Sequence, residues 1–248
     1  APLRPEYLSV TFGAGGSTLE ATRETVDVLS SGTDVPVAPH ISCMVESAAR
    51  LRDLLTAYRM KGVNRLVALR GDRPEGLQGP GPFQYANELV SFIRREFGDA
   101  FHIEVACYPE YHPESPSPQD EMFHFKQKVD AGADGAITQY FYNADAYFGF
   151  MDDCERHGIG IPVTPGIMPI TNYRQLARFS DMCGAEIPQW IRRRLEGYGD
   201  DSASIRDFGL DVVTALCERL LQGGAPGLHI YTLNRANASY RLWQRLNR

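Results

Sequence analysis

The sequence predicts an α/β fold in which helices cover a parallel sheet. Seven strand-then-helix units follow one another along the 248 residues, and most strand candidates are near-continuous apolar runs. Such runs are typical of strands covered on both faces, and the alternation implies parallel strands joined by right-handed crossovers. The length suits one barrel domain over residues 1–248. A closed (β/α) barrel needs eight strands, so the count is one short.

Short β-rich segments recur along the chain and define the predicted strands. They are Tyr7–Phe12, Val35–Cys43, Arg65–Arg70, His102–Tyr108, Gly135–Phe141, Pro162–Met168 and Leu228–Leu233. Helical patterns follow them, including Thr18–Leu29, Ser47–Met60, Tyr85–Phe97, Asp120–Ala131 and Ala144–His157. Lys61-Gly62 and His157-Gly158 end two helices directly before a strand, as a helix-terminating glycine does.

A longer insertion separates the last two predicted strands. It covers Asn172–Gly224 and predicts a helix near Tyr173–Cys183, a second helix start at Ile187-Pro188 and a long helix near Ser202–Leu221. The earlier loop Gly71–Pro82 is rich in glycine and proline, and we expect it to form a mobile edge of a site.

Two sheet closures are compatible with seven strands. An open doubly wound sheet could use seven as they stand, and it usually has a glycine-rich phosphate turn after its first strand. The segment Gly13–Thr18 is glycine-rich and precedes a helix, so its amides could hold an anion. It lacks both the Walker lysine and the Gly-x-Gly-x-x-Gly spacing. A tight turn with a Ser or Thr N-cap explains it equally well, so both closures stay open at this point.

Composition excludes several classes of partner. The net charge is −6 without long runs of either sign, which argues against nucleic acid or a membrane surface as the main partner. The five cysteines are odd in number, widely spaced and without a Cys-x-x-Cys, so we expect reduced thiols in a cytoplasmic protein. The printed sequence contains no signal-peptide pattern and no membrane-length apolar run, so we expect neither a leader nor a membrane span. Small-molecule substrates are the expected partners.

Polar residues cluster where the first strands end. Arg70-Gly71-Asp72 follows a buried apolar strand, where a charged pair is costly unless it has partners, so a site is favoured there. The alternative is that Asp72 caps a turn. Thr11 and His40 also lie at strand ends. Thr11 could instead be an ordinary β-branched strand residue, and His40 could equally be a buried histidine of the core.

The loop after the fourth strand gathers acids, a histidine and an aromatic ring. It contains Tyr108-Pro109-Glu110 and His112-Pro113-Glu114. Metal binding is conceivable, but no catalytic-zinc spacing such as His-Glu-x-x-His occurs, and a polar cradle for a cofactor is favoured. Lys128 on the following helix could be simply solvated. Gln139 places an amide in an apolar strand, where either a ligand or a structural network must satisfy it.

At this point the sequence resembles the flavin-dependent methylenetetrahydrofolate reductases over nearly its whole length. The family fold is a (β/α)8 TIM barrel. The matching blocks, in order, are Ser9-Val10-Thr11-Phe12-Gly13-Ala14, Ala38-Pro39-His40, Val67-Ala68-Leu69-Arg70-Gly71-Asp72, Tyr108-Pro109-Glu110 with His112-Pro113-Glu114, Lys128-Val129-Asp130-Ala131-Gly132-Ala133, Ile137-Thr138-Gln139, Pro165-Gly166-Ile167 and Tyr231-Thr232-Leu233-Asn234-Arg235.

The resemblance implies a flavin site and a shared substrate site. Positions that hold FAD in the family match His40, Arg70, Gly71, Asp72, Ala86, Tyr108, His112 and Lys128. Less diagnostic lining positions match Phe12, Ala14, Ser115, His124 and Gln127, and Glu121 stands where the family often has Asp. Positions that contact the nicotinamide cofactor or the folate match Thr11, Gln139, Gln175, Phe179 and Arg235.

The implied reaction has two steps through one site. NADH or NADPH reduces FAD and leaves, and methylenetetrahydrofolate then binds and is reduced to 5-methyltetrahydrofolate for one-carbon metabolism and methionine synthesis. Asp72 and Gln139 are the expected catalytic residues: Asp72 would favour a cationic iminium folate, and Gln139 would bind the pterin amide edge. Phe179 would stack on a substrate, and Arg235 would stabilise substrate charge. We also expect a homo-oligomer, with no metal, nucleic acid or membrane partner.

One family feature has no counterpart in this sequence. The family opens with a strand bearing Ser-Phe-Glu-Phe-Phe-Pro-Pro, whose Glu donates a proton to the folate. The chain begins with Ala-Pro at about the second family strand. We therefore expect the first strand-helix unit, with the catalytic Glu, to be absent from this chain. Two alternatives remain at this stage: a folate- or flavin-binding protein without full catalysis, and a metal-dependent lyase on the same barrel.

Overall fold

The strands and helices form two compact units. The computed structural model describes residues 3–12, 19–43, 47–71 and 81–247. The first unit comprises Ala1–Ala106 with Lys126–Ala136, and the second comprises Cys107–Phe125 with Ile137–Arg248. Strands alternate with helices along the described part of the chain, as the hydrophobic pattern predicts.

The first unit is a parallel sheet whose strands follow the order of the chain. The strands are β1 (Leu8–Val10), β2 (Val37–Ser42), β3 (Arg65–Leu69), β4 (His102–Cys107) and the first residues of β5 (Gly135–Thr138). The helices are α1 (Leu19–Gly32), α2 (Ala48–Met60), α3 (Ala86–Phe97) and the end of α4 (Pro118–Asp130). In the parallel register Val10 pairs with Pro39, and Ser42 pairs with Leu69.

Apolar helix faces build the core of the first unit. Leu51 and Leu55 on α2 and Leu89 and Ile93 on α3 are at most 1% exposed. The i, i+4 spacing within each pair places both side chains on one face of its helix. Helix α2 begins at an N-cap, because the Ser47 side chain accepts a hydrogen bond of 3.2 Å from the backbone N–H of Arg50.

Buried charges stabilise the amino ends of these strands. The carboxylate of Glu104, only 5% exposed, accepts hydrogen bonds from the Tyr7 hydroxyl at 2.7 Å and from Arg65 Nη1 at 2.6 Å. Nearby, Arg94 pairs with Asp134 and donates to the carbonyl oxygen of Phe101 at 2.8 Å. Because each buried charge has partners, these groups hold the strand starts together.

The second unit contains the remaining elements. They are the start of α4, the end of β5, α5 (Ala144–Arg156), β6 (Val163–Thr164), β7 (Gly166–Ile167), α6 (Tyr173–Cys183), α7 (Gln189–Gly197), α8 (Ser202–Gln222), β8 (His229–Ile230) and α9 (Ala236–Leu246). β7 and β8 are parallel, with Gly166 opposite His229 and Ile167 opposite Ile230. Asn143, Asn172 and Asp201 cap α5, α6 and α8 through side-chain oxygens.

Most predicted elements are confirmed, and their ends are corrected. The strands are shorter than predicted, and the helix predicted at Tyr173–Cys183 has those bounds. The single strand predicted at Pro162–Met168 is wrong, because β6 and β7 flank Pro165, which has no N–H to donate to a sheet ladder. The α/β class with parallel strands is confirmed, while closure into a complete barrel stays a prediction.

Two global expectations can be compared with the described residues. No helix in the described ranges is long and apolar enough to cross a membrane. No disulfide joins the five cysteines, all of which lie in the described ranges: Cys43, Cys107, Cys154, Cys183 and Cys217. The glycine-rich turn Gly13–Thr18 and most of the loop Gly71–Pro82 lie outside the described residues.

Candidate functional site

In the first unit, predicted site residues lie at the carboxyl ends of neighbouring strands. Thr11 and Phe12 follow β1, and His40 lies in β2 with 9% of its surface exposed. Because Val10 pairs with Pro39 in a parallel register, Thr11 is level with His40. The Thr22 hydroxyl donates a hydrogen bond of 3.1 Å to the carbonyl oxygen of Thr11 and so fixes the end of β1 against α1.

Arg70 and Gly71 continue the chain beyond β3. The Ser42 hydroxyl donates a hydrogen bond of 3.1 Å to the carbonyl oxygen of Arg70. This bond anchors the turn to the end of β2. Gly71 has a φ of +76°, in the left-handed region that favours glycine. The turn therefore depends on a glycine directly before Asp72, which itself lies outside the described residues. Arg70 is half-buried.

Lys128 is positioned by a backbone contact at the end of β4. Its Nζ donates a hydrogen bond of 2.6 Å to the carbonyl oxygen of Ala106. Lys128 lies in the last turn of α4, and its side chain is half-buried, as is that of Gln127. The interpretation of Lys128 as a simply solvated lysine is thus wrong, because its ammonium group is fixed at the carboxyl edge of the sheet. Ala86, also half-buried, is the first residue of α3.

In the second unit, a compact loop follows β4. The rings of Tyr108 and His112 meet edge to face with centroids 4.8 Å apart. Glu121, only 4% exposed, accepts hydrogen bonds from the Ser115 hydroxyl and, at 3.3 Å, from the backbone N–H of His112. Glu121 therefore organises this loop through Oε2. His124 lies on α4 with an exposed side chain.

The same loop fixes the tautomer of a neutral His112. The backbone N–H of Glu114 donates a hydrogen bond of 3.1 Å to His112 Nδ1. Because Nδ1 accepts this hydrogen bond, a neutral imidazole has its proton on Nε2, which leaves that nitrogen as a donor. The loop turns through Tyr111, whose φ of +66° is unusual for a residue with a side chain.

Glu110 has an environment that the sequence pattern did not reveal. Burial raises the pKa of its carboxyl group to about 7, and the charge of Glu186 adds to the increase. The backbone N–H of Glu186 donates a hydrogen bond of 2.8 Å to Glu110 Oε2, and this bond lowers the pKa of Glu110, opposing the increase. The motif placed Glu110 next to Tyr108, but the approach of Glu186 from a distant segment could not be derived from spacing. A carboxyl group with this pKa can exchange a proton near neutral pH.

Gln139 extends directly beyond β5. Its backbone N–H donates a hydrogen bond of 2.8 Å to the carbonyl oxygen of Cys107. Its Oε1 accepts a hydrogen bond of 3.0 Å from the backbone N–H of Tyr140. The side-chain carbonyl is thus fixed by the backbone, and the NH2 group of the same amide is a hydrogen-bond donor. The side chain is half-buried.

A hydrogen-bonded bridge lies beside Gln139. The Tyr231 hydroxyl donates a hydrogen bond of 2.8 Å to the carbonyl oxygen of Thr138. The Thr138 hydroxyl accepts a hydrogen bond of 2.8 Å from the backbone N–H of Gly166. The bridge connects the carboxyl end of β5 to β7 and to the residue after β8. The sequence marked Tyr231 only as the start of a family block, and this bridging role was missed.

Helix α6 presents Gln175 and Phe179 on one face. They are four residues apart, so they lie one turn above the other, and both are half-buried. The Asn172 side chain accepts 2.8 Å from the backbone N–H of Gln175 and fixes the start of the helix. On the buried side, the hydroxyls of Ser180 and Tyr140 lie 3.0 Å apart.

Arg235 is exposed at the N-cap of α9. Leu233 and Asn234, with φ of 48° and 59°, turn the chain between β8 and this helix. Arg235 lines a cleft together with residues of α8 and α9.

Within each unit, the structure groups a part of the predicted site. The first unit gathers Thr11, His40, Arg70 and Lys128 at carboxyl ends of parallel strands, and the second places Tyr108, Gln139 and Arg235 after strand ends. Ala14 and Asp72 lie outside the described residues. No group of three His, Cys, Asp or Glu side chains in the described ranges could hold a metal ion.

The chain is similar to known proteins over nearly its whole length. The family model described as methylenetetrahydrofolate reductase matches residues 1–247. The chain is 37% identical over 240 residues to the 5,10-methylenetetrahydrofolate reductases of Pectobacterium carotovorum subsp. carotovorum and Escherichia coli strain K12. These matches cover 97% of this chain and 79% and 80% of the two relatives.

A plant protein and a solved structure are also similar to the chain. The chain is 37% identical over 243 residues to methylenetetrahydrofolate reductase (NADH) 1 of Arabidopsis thaliana, with 93% of this chain and 41% of that protein covered. A solved structure of an uncharacterized protein from Clostridium thermocellum, which binds two copies of 5-methyl-5,6,7,8-tetrahydrofolic acid, matches with a TM-score of 0.61. That match is 14% identical and covers 97% of this chain and 93% of the other, so the likeness concerns the fold.

Proposed function

The chain belongs to the methylenetetrahydrofolate reductase family of oxidoreductases, and from this premise we propose that it reduces 5,10-methylenetetrahydrofolate to 5-methyltetrahydrofolate, with FAD as cofactor and NADH or NADPH as electron donor. The match across residues 1–247 is the observation on which the proposal depends. The name of the Arabidopsis relative supports NADH as one candidate donor.

The first unit offers groups that suit a flavin dinucleotide. The diphosphate of FAD is anionic, and Lys128 and Arg70 place two cationic side chains at the carboxyl ends of β4 and β3. The level positions of Thr11 and His40 add a hydroxyl and an imidazole at the same edge. These residue types fit the cofactor, and we assign His40, Arg70, Gly71 and Lys128 to hold it.

The second unit offers a preorganised loop that suits cofactor binding. The edge-to-face pair of Tyr108 and His112 gives the loop a fixed shape, and Glu121 and Ser115 hold its backbone. His112 Nε2 is available as a donor when the imidazole is neutral. We assign Tyr108 and His112 to contact the flavin and Glu121 to position their loop.

Substrate recognition is assigned to groups that the backbone already orients. Gln139 Oε1 is fixed by Tyr140, so the NH2 group can donate to the amide edge of a pterin without a large loss of side-chain freedom. On α6, Phe179 provides a flat surface for stacking, and Gln175 lies one turn away. Arg235 supplies a guanidinium for a carboxylate.

The chemistry divides between the cofactor and the chain. When bound, FAD supplies hydride transfer between the nicotinamide and the folate. The residues of the chain bind and orient the two substrates in turn. We assign a catalytic role to Asp72, whose carboxylate would favour a cationic folate, and to Gln139, whose NH2 group would donate to the pterin. The product supplies a methyl group for methionine synthesis, in a cytoplasmic homo-oligomer.

The proposal is tested with the purified protein and its two half-reactions. We expect a yellow protein that releases FAD on denaturation, is bleached by NADH or NADPH without oxygen, and regains its colour when methylenetetrahydrofolate is added. Absorbance spectra, chromatography of the released cofactor and stopped-flow measurements give each result separately. A protein that cannot be loaded with FAD would overturn the proposal. Folate binding without reoxidation of the flavin would instead support a binding protein without catalysis.

A further inference from the structure

The side chain of Tyr140 joins the end of β5 to the last turn of α6. Tyr140 directly follows Gln139, and both Tyr140 and Ser180 are buried. The Tyr140 hydroxyl lies 3.0 Å from the Ser180 hydroxyl and 3.5 Å from Sγ of Cys183. Ser180 and Cys183 are three residues apart on α6, so they lie on one face of that helix. One tyrosine therefore connects a strand end to a helix that is distant in sequence.

The three polar groups form a chain of hydrogen bonds with a defined direction. The Cys183 thiol donates to the oxygen of Tyr140. The proton of the Tyr140 hydroxyl is then available for the Ser180 hydroxyl. Burial raises the pKa of Tyr140, so the hydroxyl keeps this proton at neutral pH and remains a donor. Separating the two hydroxyls would leave a buried donor unsatisfied, and this cost holds α6 in place.

The backbone of the same residue fixes the side chain of Gln139. The N–H of Tyr140 donates a hydrogen bond of 3.0 Å to Gln139 Oε1. On the helix, Phe179 directly precedes Ser180 and lies about 100° around the helix axis and about 1.5 Å along it from that residue. Any rotation or sliding of α6 would thus move Phe179 relative to Gln139. The hydrogen bond between Tyr140 and Ser180 opposes both motions.

Other contacts secure the two ends of α6. The Asn172 side chain caps its first turn. At its other end Gly184 has a φ of +74°, and a Cβ there would lie 2.8 Å from Cγ of Pro113. The contact of Tyr140 with Ser180 lies between these ends. Its removal should therefore loosen the positions of the side chains on α6 without unfolding the helix.

We propose that Tyr140 is a positioning residue that holds Phe179 at a fixed distance from Gln139. It acts through the hydroxyl of Ser180. The inference rests on the proposed function, which assigns Gln139 and Phe179 to substrate recognition. A flat substrate that one group binds by hydrogen bonds and another by stacking needs both groups at a fixed separation. Setting that separation in advance lowers the entropy that is lost on binding.

The test compares Tyr140→Phe, Ser180→Ala and the double variant as FAD-loaded proteins. Stopped-flow oxidation of the reduced flavin over a range of methylenetetrahydrofolate concentrations gives the folate Kd and the limiting rate separately. Loss of one neutral hydrogen bond corresponds to about a two- to ten-fold change, so each single variant should raise the folate Kd by this factor. The limiting rate should change less, because these contacts are made before and during hydride transfer alike. The double variant should bind folate no more weakly than either single variant.

Tyr147→Phe is the matched control. Tyr147 is also buried in the second unit, and its hydroxyl donates a hydrogen bond of 2.8 Å to the carbonyl oxygen of Val163. The variant therefore loses a buried hydroxyl of the same kind, but on α5 instead of at α6. Its Tm should fall about as much as that of Tyr140→Phe, while its folate Kd stays that of the wild type. Every variant should keep the wild-type Kd for FAD.

Three results would overturn the inference. The first is a wild-type folate Kd in Tyr140→Phe, or in Ser180→Ala if Tyr140→Phe does not fold. The second is a double variant whose effect is the product of the two single effects, which would show that Tyr140 and Ser180 act independently. The third is an equal rise of the folate Kd in Tyr147→Phe, which would make the effect one of general stability. Failure of the proposed function is distinguishable, because folate would then not oxidise the reduced flavin of the wild type.

Discussion

Lys128 Nζ lies 2.6 Å from the carbonyl oxygen of Ala106 and donates a hydrogen bond to it at the end of β4. This contact turns a flexible lysine of α4 into a fixed cation at the carboxyl edge of the sheet. Fixing the side chain in advance lowers the entropy that binding would otherwise remove. The location is also the edge at which parallel α/β folds bind their ligands.

We predict that Lys128→Met weakens the binding of FAD. Loss of one fixed cation near an anionic group should cost about 1.5 to 3 kcal/mol, which is roughly ten-fold or more in the Kd of the flavin. The measurement is the flavin content after dialysis and the Kd on reconstitution. A Lys128→Met protein with wild-type flavin content and Kd would remove Lys128 from the assignment.

Lys126→Met is the control for that variant. Lys126 lies two residues earlier on α4 and forms an ion pair of 2.8 Å with Asp130. An exposed i, i+4 pair contributes only about 0.3 to 0.5 kcal/mol, so we expect little change in stability and none in flavin binding. Equal flavin loss in both variants would point to a general effect on α4.

Glu110 should make the stability of the protein depend on pH. Burial raises the pKa of Glu110 to about 7 from the ordinary 4.5. A group whose pKa is raised on folding contributes stability that is fully present below pH 4.5 and is lost as the pH rises through about 7. We therefore expect Glu110→Gln to be more stable than wild type at about pH 8 and nearly unchanged near pH 5, measured as Tm.

A second variant tests the cause of that shift. The charge of Glu186 contributes to the raised pKa of Glu110, after burial. Glu186→Gln should keep the backbone N–H that donates to Glu110 and lower the pKa of Glu110 toward 4.5, so that the fall in Tm is smaller and is complete at a lower pH. If Glu110→Gln shows the same pH dependence of Tm as wild type, another group is responsible.

Gly166 should not accept even one methyl group. A Cβ there would lie 2.2 Å from the carbonyl oxygen of Thr138 and 2.6 Å from Cε2 of Tyr231. Because the closest atom belongs to the backbone of β5, the strand must move, and we expect Gly166→Ala to cost roughly 3 kcal/mol or more in free energy of unfolding. Denaturant unfolding gives this value.

The matched glycine substitution should have the opposite sign. Gly149 lies inside α5, and a Cβ there would meet no atom within 4 Å. Gly149→Ala should therefore stabilise the helix by up to about 1 kcal/mol, because alanine has the higher helix propensity. A destabilised Gly149→Ala, or a Gly166→Ala as stable as wild type, would contradict the packing described for these two positions.

The sequence predicted the order of elements better than their ends. Helical periodicity and glycine stops are local, so Tyr173–Cys183 and the helix after Ser47 could be derived directly. Strand ends depend on pairing with a neighbour, which local sequence does not contain. The apolar run Pro162–Met168 thus suggested one strand, whereas Pro165 interrupts it and its carbonyl oxygen accepts 2.9 Å from the N–H of His229.

Sequence motifs at strand ends predicted part of the candidate site. Arg70-Gly71 and Tyr108 were found from residue types at strand ends and from the family blocks. The side chains of Lys128 and Glu110 contact the carbonyl oxygen of Ala106 and the N–H of Glu186, backbone groups that no sequence pattern marks. Contacts between side chains and distant backbone atoms therefore required the structure.

Asp72 yields a prediction from its motif alone. We expect Asp72→Asn to slow the oxidation of the reduced flavin by folate more than the reduction by NADH or NADPH. A carboxylate stabilises a cationic folate, whereas arrival of hydride from the nicotinamide creates negative charge that the carboxylate opposes, and a difference of ten-fold or more, about 1.4 kcal/mol, is a reasonable scale. Stopped-flow traces separate the two steps, and equal slowing of both would leave Asp72 as a turn residue.

Gln139 permits the sharpest separation of a structural role from a recognition role. Gln139→Glu keeps an oxygen that can accept from the backbone N–H of Tyr140, now 3.0 Å from Oε1, but it replaces the NH2 donor with a second acceptor. We expect its Tm to be near that of wild type and its folate half-reaction to be slower by about ten- to a hundred-fold, as befits a lost hydrogen bond and an unfavourable charge. Gln139→Leu removes the acceptor as well, so it should lose both turnover and about 1 to 3 kcal/mol of stability. A Gln139→Glu protein that oxidises reduced flavin with folate at the wild-type rate would show that the amide NH2 group does not bind the substrate.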